Sequence, residues 1–174
     1  KILEVLEKKN FSLDNLYLVA SSKSAGSKIT FKDKELEVFD LEKFDFSKAK
    51  ITFFAAGGKI SENYATKAAQ HSIVIDNSSF YRMDPDVPLI VPQVNSEDLK
   101  KIKKNIIANP NCSTAQLVIA LKPLHDAFKI KRVVTSTYQS VSGGGKAPMD
   151  ELIEQTKLFL DNREIKSKNF TKQI

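Results

Sequence analysis

Short apolar runs alternate with amphipathic segments along most of this chain. The runs "LYLVA" (16–20), "ITFFAA" (51–56), "SIVID" (72–76) and "NIIAN" (105–109) are each bounded by turn residues and are too short for a typical helix. Strands that are apolar on both faces are usual in parallel sheets covered by helices. The alternation therefore predicts an α/β fold with a parallel sheet.

Other segments complete this prediction. Further strands are predicted in "KITF" and "LEVF", which a turn at Asp33 and Lys34 joins, and in "PLIVP" and "IKRVVTSTYQSVS". Helices are predicted in "KILEVLEKK", in "SENYATKAAQ" with Ser61 as candidate cap, in "SEDLKKIKK", in "STAQLVIALKPLHDAF" with a kink or an end at Pro123, and in "MDELIEQTKLFLDNRE". In the last helix, Leu152, Gln155, Thr156 and Phe159 are expected to form one stripe, and residues 142–148 before it a flexible loop.

Composition excludes several classes of protein. The 174 residues carry a net charge of +6, but acidic residues are interleaved with the lysines and no aromatic residue lies in the lysine cluster at 100–104. A nucleic-acid surface needs a basic stripe with stacking aromatics, so we predict no nucleic-acid partner. No apolar run reaches the roughly 18 residues of a membrane span, so no membrane partner is predicted. The single cysteine is typical of a reducing compartment, and we predict a cytoplasmic protein.

Polar residues follow the predicted strands where each strand ends. These stretches are "SSKSAGS" from Ser21, "GGK" from Gly57, "NSSFYR" from Asn77 and "NPNCST" from Asn109. Ligands of open parallel sheets bind at the carboxyl ends of the strands. Although each stretch alone is ordinary turn chemistry, the four together predict the rim of a site.

Cys112 lies between a predicted strand and a predicted helix. The first turn of a helix offers free backbone N–H groups and the positive end of the helix dipole, which stabilise a thiolate and an oxyanion. A thiolate attacks carbonyl carbon, so the position predicts a nucleophile, with Asn111 as the cap of the helix. The alternative is a small buried residue in a turn.

Longer stretches resemble one enzyme family. "NPNCST", preceded by "DNSSFYRMDPDVPLIVPQVN" and followed by "STYQSVSGGGKAPMDEL", is similar to aspartate-semialdehyde dehydrogenases, and so are "VASSKSAG" and "FFAAGGKISENYATKAA". The resemblance implies a Rossmann-like domain over residues 1–111, without its first strand and glycine-rich turn. The start of an α+β catalytic and dimerisation domain would then cover residues 112–174. It also implies reduction of L-aspartyl 4-phosphate by NADPH through a cysteine thioacyl intermediate, in the biosynthesis of lysine (by way of diaminopimelate), threonine and methionine.

The resemblance also implies roles for individual residues. Cys112 and Gln139 would be catalytic, and substrate would be bound by Arg82, Asn111, Gln139 and Ser142. Arginine suits phosphate because its planar fork donates two hydrogen bonds. The alternative for Arg82 is a surface ion pair with Asp84 or Asp86. The two histidines, His71 and His125, are expected to be structural, and no metal site is predicted.

The implied cofactor is NADP. Its predicted binding residues are Ser21, Ser22, Ser24, Ala56, Gly57, Ser78, Gly143 and Gly144. Hydroxyls and Lys23 follow the strand at which an acidic residue would favour NAD, so they favour the 2′-phosphate of NADP. Gly144 stands where the family loop "SGAG" has alanine.

We expect the chain to be the central part of a longer homodimeric enzyme. The glycine-rich turn, a further substrate-binding arginine and the acid/base histidine of the family are not among its residues, so little turnover is expected from it alone. The competing interpretations are an N-acetylglutamyl-phosphate reductase, a glyceraldehyde-phosphate dehydrogenase, and a non-catalytic binding module or fragment. "NPNCST" suits the aspartyl enzyme best among the enzymes.

Overall fold

The fold is that of a computed structural model, which describes residues 2–172. It divides into two compact units, Lys1–Phe128 and Lys129–Ile174. The domain boundary predicted after Asn111 stays a prediction. The first residue of the predicted domain 1–111 and the last two residues of the predicted domain 112–174 lie outside the described residues.

The first unit contains two three-stranded sheets. Its strands are β1 (Leu18–Ala20), β2 (Lys28–Phe31), β3 (Lys34–Asp40), β4 (Ile51–Phe54), β5 (Ile73–Asp76) and β6 (Ile106–Ala108). Its helices are α1 (Ile2–Lys8), α2 (Gly58–Ala69), α3 (Pro92–Asn95) and α4 (Cys112–Phe128). Among residues 2–172, no helix is long and apolar enough to cross a membrane.

The sheet β4-β5-β6 is entirely parallel, as predicted. Phe54, Asp76 and Ala108 lie side by side at its carboxyl edge. Helix α2 connects β4 to β5 and buries its alanines against Val74 and Ile106, which are fully buried. The loops that follow the three strands therefore all begin at the same edge of the sheet.

The other sheet, in the order β1-β3-β2, is mixed. β1 pairs with β3 in parallel, whereas β2 and β3 form an antiparallel hairpin. Lys32 and Asp33 form its turn with φ of 47° and 62°, the left-handed pair that a two-residue hairpin requires. The predicted turn at Asp33 and Lys34 is therefore one residue late, because Lys34 already pairs with Phe31.

Aromatic rings connect the two sheets. The rings of Phe39 on β3 and Phe44 lie 5.8 Å apart, those of Phe44 and Phe46 5.4 Å, and those of Phe46 and Phe54 on β4 6.3 Å. Spacings of this size are typical of favourable aromatic pairs. This row of rings fixes the mixed sheet against the core of the parallel sheet.

Several predicted elements are wrong. "PLIVP" contributes only a single bridge, from Leu89 to Ala108, and Pro92 begins α3. Residues 96–101 form a 3₁₀ helix. The helix predicted at 113–128 is present as α4, which does not end at Pro123 but continues to Phe128, and a kink there stays a prediction. The strand predicted at 130–142 has no regular structure before a 3₁₀ helix at Val141–Gly144, because no described strand supplies hydrogen bonds to its backbone.

The second unit is built on α5 (Lys146–Leu160). Its buried residues are Glu151 and Gln155, whereas Leu152 and Phe159 of the predicted stripe are exposed. Glu151 accepts hydrogen bonds from the backbone N–H groups of Lys168 and Asn169, at 2.7 and 2.6 Å. A carboxylate, rather than an apolar stripe, therefore fastens the following segment to α5.

Candidate functional site

Cys112 is the first residue of α4, and its side chain is exposed. The buried Pro110 leads from β6 to Asn111, whose side-chain oxygen accepts a hydrogen bond from the Thr114 N–H at 3.1 Å. The backbone oxygen of Asn111 accepts from the Ala115 N–H at 3.0 Å. Asn111 thus caps the helix as predicted, and the thiol lies in the first turn, where free N–H groups and the helix dipole favour an anion.

Arg82 is fixed to the ends of β5 and β6. Its Nε donates to the backbone oxygen of Asn109 at 2.9 Å, and its Nη2 donates to that of Asn77 at 3.2 Å. The two asparagines are joined in turn, since Asn109 Nδ2 donates to Asn77 Oδ1 at 2.6 Å. Half-buried Arg82 therefore lies at the strand edge that leads directly to Cys112.

The ion-pair alternative for Arg82 finds no support among the described contacts. Asp84 pairs with Lys104 at 2.9 Å, and Asp86 pairs with Lys103 at 2.9 Å. Hydrogen bonds from these lysines lower the pKa of both carboxyls. Because the carboxylates are occupied elsewhere, the Arg82 guanidinium contacts backbone oxygens.

The predicted cofactor residues after β1 and β4 are open to solvent. The side chains of Ser21, Ser22, Lys23 and Ser24 are exposed in a turn closed by a 2.9 Å hydrogen bond from the Ser24 N–H to the Ser21 oxygen. Gly57, at φ 95°, precedes α2 as its N-cap, and a side chain there would meet nothing within 4 Å. These segments offer hydroxyls, an amine and open backbone to a ligand.

Two serines donate to a buried carboxylate, Asp76. Ser61 is not the cap of α2: it lies inside the helix, fully buried, and donates to Asp76 Oδ1 at 2.7 Å. Ser78, predicted to bind cofactor, is 7% exposed, and its hydroxyl donates to Asp76 Oδ2 at 2.7 Å. Sequence reasoning missed Asp76, for which the only signal is a carboxylate that ends an apolar strand.

Gln139 and the glycine loop belong to the second unit, where Gln139 is exposed. A Cβ at Gly143 would overlap the Gln139 side-chain amide, and one at Gly144 would lie 2.9 Å from Cγ of Pro148. The Ser140 and Ser142 hydroxyls hydrogen-bond each other at 2.9 Å. Within the loop predicted at 142–148, residues 142–144 lie in a 3₁₀ helix and 146–148 begin α5, and the glycines make room for Gln139 and Pro148.

Two parts of the chain match two domains of the same kind of enzyme. Residues 1–102 match the family described as semialdehyde dehydrogenase, NAD binding domain, and residues 121–174 match semialdehyde dehydrogenase, dimerisation domain. Aspartate-semialdehyde dehydrogenases of Shewanella sp. and Aquifex aeolicus are 48% and 52% identical to the chain. Each alignment covers 99% of the chain and 52% of the relative, so the chain spans about half the length of these proteins.

Solved structures agree with this result. The crystal structure of aspartate semialdehyde dehydrogenase II of Vibrio cholerae complexed with ASA is 46% identical, with a TM-score of 0.93 over 99% of this chain and 52% of that one. The Candida albicans aspartate semialdehyde dehydrogenase with NADP is 29% identical, with a TM-score of 0.58 over 72% of this chain and 43% of that one. The chain therefore belongs to the semialdehyde dehydrogenase family.

Proposed function

We propose that the protein containing this chain is an NADP-dependent aspartate-semialdehyde dehydrogenase. It reduces L-aspartyl 4-phosphate to L-aspartate 4-semialdehyde and phosphate, in lysine (diaminopimelate), threonine and methionine biosynthesis. The observation that carries the proposal is the exposed thiol of Cys112 on the first turn of α4, directly after the strand edge that fixes Arg82. The similarity to the aspartate-semialdehyde dehydrogenases of Shewanella sp. and Aquifex aeolicus supports the choice of substrate.

Cys112 is the nucleophile in this reaction. Its thiolate attacks the acyl carbon of the aspartyl phosphate, the C–O bond to phosphate breaks, and an aspartyl thioester remains on the sulfur. NADPH, when bound, supplies the hydride that reduces the thioester carbon. The resulting thiohemiacetal collapses to the semialdehyde and returns the thiolate. N–H groups of the first turn of α4 stabilise the negative charge on the oxygen during both steps.

Arg82 and Asn111 bind the phosphate group. The described hydrogen bonds of Arg82 use one Nε proton and one Nη2 proton. A guanidinium carries five N–H donors, so three remain for phosphate oxygens. Because two carbonyls already hold the guanidinium in place, little side-chain freedom is lost when phosphate binds.

Gln139 and Ser142 are assigned to orienting the substrate. The side-chain amide of Gln139 lies beside Gly143, and the Ser142 hydroxyl is paired with Ser140. An amide held beside the acyl group would keep the substrate in a reactive orientation. Their roles rest on the family resemblance.

The residues proposed for NADP fit that cofactor. Exposed hydroxyls at Ser21, Ser22 and Ser24 beside the Lys23 amine suit a 2′-phosphate, and Ala56 and Gly57 leave the backbone open. Gly143 and Gly144 are assigned to the nicotinamide end. Because both the hydroxyl and the N–H of Ser78 donate to Asp76, Ser78 would contact the cofactor through its backbone oxygen. The similarity to the Candida albicans structure with NADP supports this choice of cofactor.

The proposed protein is a cytoplasmic homodimer. The match to a dimerisation domain supports self-association, and a single free cysteine is typical of a reducing compartment. Residues 1–174 alone are expected to turn over little substrate, because the resemblance assigns an acid/base histidine and a second substrate arginine to positions outside them.

The test is a substrate comparison with the full-length protein. With NADP and phosphate, kcat/KM for L-aspartate 4-semialdehyde is expected to exceed that for N-acetylglutamate semialdehyde and for glyceraldehyde 3-phosphate. It is also expected to exceed the value for the same aldehyde with NAD. A preference for either other aldehyde would assign the chain to another phosphorylating dehydrogenase. No phosphate-dependent activity with any of them would support a binding module.

A further inference from the structure

Asp76 is a buried carboxylate that the proposed reaction does not use. It ends β5, is fully buried, and takes part in no described ion pair. Oδ1 accepts from the Ser61 hydroxyl at 2.7 Å and from the Ser78 N–H at 3.0 Å, and Oδ2 accepts from the Ser78 hydroxyl at 2.7 Å. A buried charge is tolerated only when such donors compensate for lost hydration.

The residues that donate to Asp76 are themselves hydrogen-bonded to two segments of the proposed site. Ser61 also donates its backbone N–H to the Gly57 oxygen at 3.2 Å, while its hydroxyl proton is directed to Asp76. The Ser78 hydroxyl accepts from the Phe80 N–H at 3.1 Å, in the loop that leads to Arg82. One carboxylate therefore connects the glycine turn before α2 with the loop that carries the phosphate-binding arginine.

The backbone of Asp76 adds a third connection. Its oxygen accepts from the Asn109 N–H at 2.8 Å, and the oxygen of Asn109 accepts from Arg82 Nε. Hydrogen bonds to Asp76 thus join the end of β5, where it lies, to the end of β6, the Arg82 loop and α2.

The chemistry of the donors suits a carboxylate here. Three groups donate to the Asp76 oxygens, the Ser61 hydroxyl and the hydroxyl and N–H of Ser78, and an ionised carboxylate only accepts. In an asparagine, the amide NH₂ would replace one of the two accepting oxygens, so one of these donors would lose its acceptor.

We propose that Asp76 is a positioning residue whose carboxylate fixes the Gly57 turn and the Ser78–Arg82 loop to each other at the carboxyl edge of the parallel sheet. The inference rests on the proposed function for its catalytic consequence. Without the carboxylate, Arg82 and the glycine turn would move independently, and binding of phosphate and NADP would weaken together.

Ser61→Ala and Ser72→Ala in the full-length protein form a matched pair. Both serines are buried, and both bond a helix carbonyl four residues earlier and a side chain on a strand of the parallel sheet. Ser72 precedes β5, whereas Ser61 binds Asp76 at the opposite end of that strand. Both variants are expected to lose similar thermal stability, so a general loss of packing predicts equal effects on catalysis.

Two readouts decide the proposal. Ser61→Ala is expected to raise the Michaelis constants for phosphate and NADP by roughly threefold to tenfold, and Ser72→Ala by less than about twofold. Amide exchange is expected to quicken at residues 57–61 and 78–82 in Ser61→Ala alone. Equal changes in the two variants, or unchanged exchange in both segments, would overturn the proposal.

Asp76→Asn serves as the second variant, with the same two segments expected to loosen. If the wild-type protein has no semialdehyde activity, the proposed function fails. The exchange measurement then decides by itself whether the carboxylate holds the two segments together.

Discussion

The proposed site residues of the two units are held in different ways. Arg82 bonds the backbone of Asn109, 27 positions away, and is fixed by contacts between separate elements. In the second unit, Ser142 bonds Ser140, two positions away, and Gln139 packs against nearby Gly143. The packing of a sheet therefore preorganises Arg82 in the first unit, whereas the position of Gln139 within the second unit depends on one local turn.

The largest effect is expected at the preorganised edge. In the full-length enzyme, Cys112→Ser should remove nearly all turnover, by more than about a hundredfold, because a serine hydroxyl is not ionised near neutral pH. The change is nearly isosteric and the residue is exposed, so the thermal unfolding midpoint should not move. A variant that keeps more than about a tenth of wild-type kcat would refute Cys112 as the nucleophile.

Arg82→Lys should have the next largest effect. Lysine keeps the charge but loses the fork, so the KM for phosphate in the oxidative direction should rise roughly tenfold to a hundredfold. The KM for the semialdehyde should rise less, and the alkylation rate of Cys112 should stay the same. Arg163→Lys, at an exposed arginine, is the control. Equal rises in both constants, or none, would place the phosphate site elsewhere.

Gly143→Ala examines the local turn. The added methyl group overlaps the Gln139 amide and should displace it, lowering kcat/KM for the semialdehyde about tenfold with little change in the KM for phosphate. Unchanged kcat/KM for the semialdehyde in Gly143→Ala would show that Gln139 does not need its observed position.

The smallest effect concerns stability in acid. Burial opposes ionisation of Glu151, but hydrogen bonds from Lys168, Asn169 and Gln155 outweigh it and lower its pKa below the ordinary value of a glutamate. Because this pKa is lower in the folded protein than in the unfolded chain, the carboxylate stabilises the fold at any pH above the pKa of the unfolded chain. This contribution to stability disappears as the pH falls through the pKa of the folded protein.

Glu151→Gln places an amide group among these donors. Its thermal midpoint should lie below that of wild type at pH 7, and the difference should shrink on acidification. Glu154→Gln, which removes only an exposed ion pair with Lys168, should change the midpoint little at any pH. A pH-independent difference for Glu151→Gln would contradict this role of the charge.

Local patterns in the sequence predicted the parallel sheet and the position of Cys112, since both depend on short-range signals: apolar runs, and an asparagine cap before a helix. The role of Asp76 was missed because one of its hydrogen-bond donors, Ser61, lies 15 positions away along the chain. The strand predicted around Tyr138 failed for a related reason. Alternation indicates which faces a strand would have, but not whether a neighbour supplies its hydrogen bonds.

The central claim, that Cys112 carries the acyl group, is tested most directly by trapping the thioester. The full-length enzyme is incubated with L-aspartate 4-semialdehyde and NADP without phosphate, quenched in acid, digested and analysed by mass spectrometry. We predict an aspartyl adduct on the peptide that contains Cys112, absent from Cys112→Ser and discharged when phosphate is added before the quench. An adduct on another residue, or phosphate-dependent turnover with no adduct at Cys112, would contradict the account.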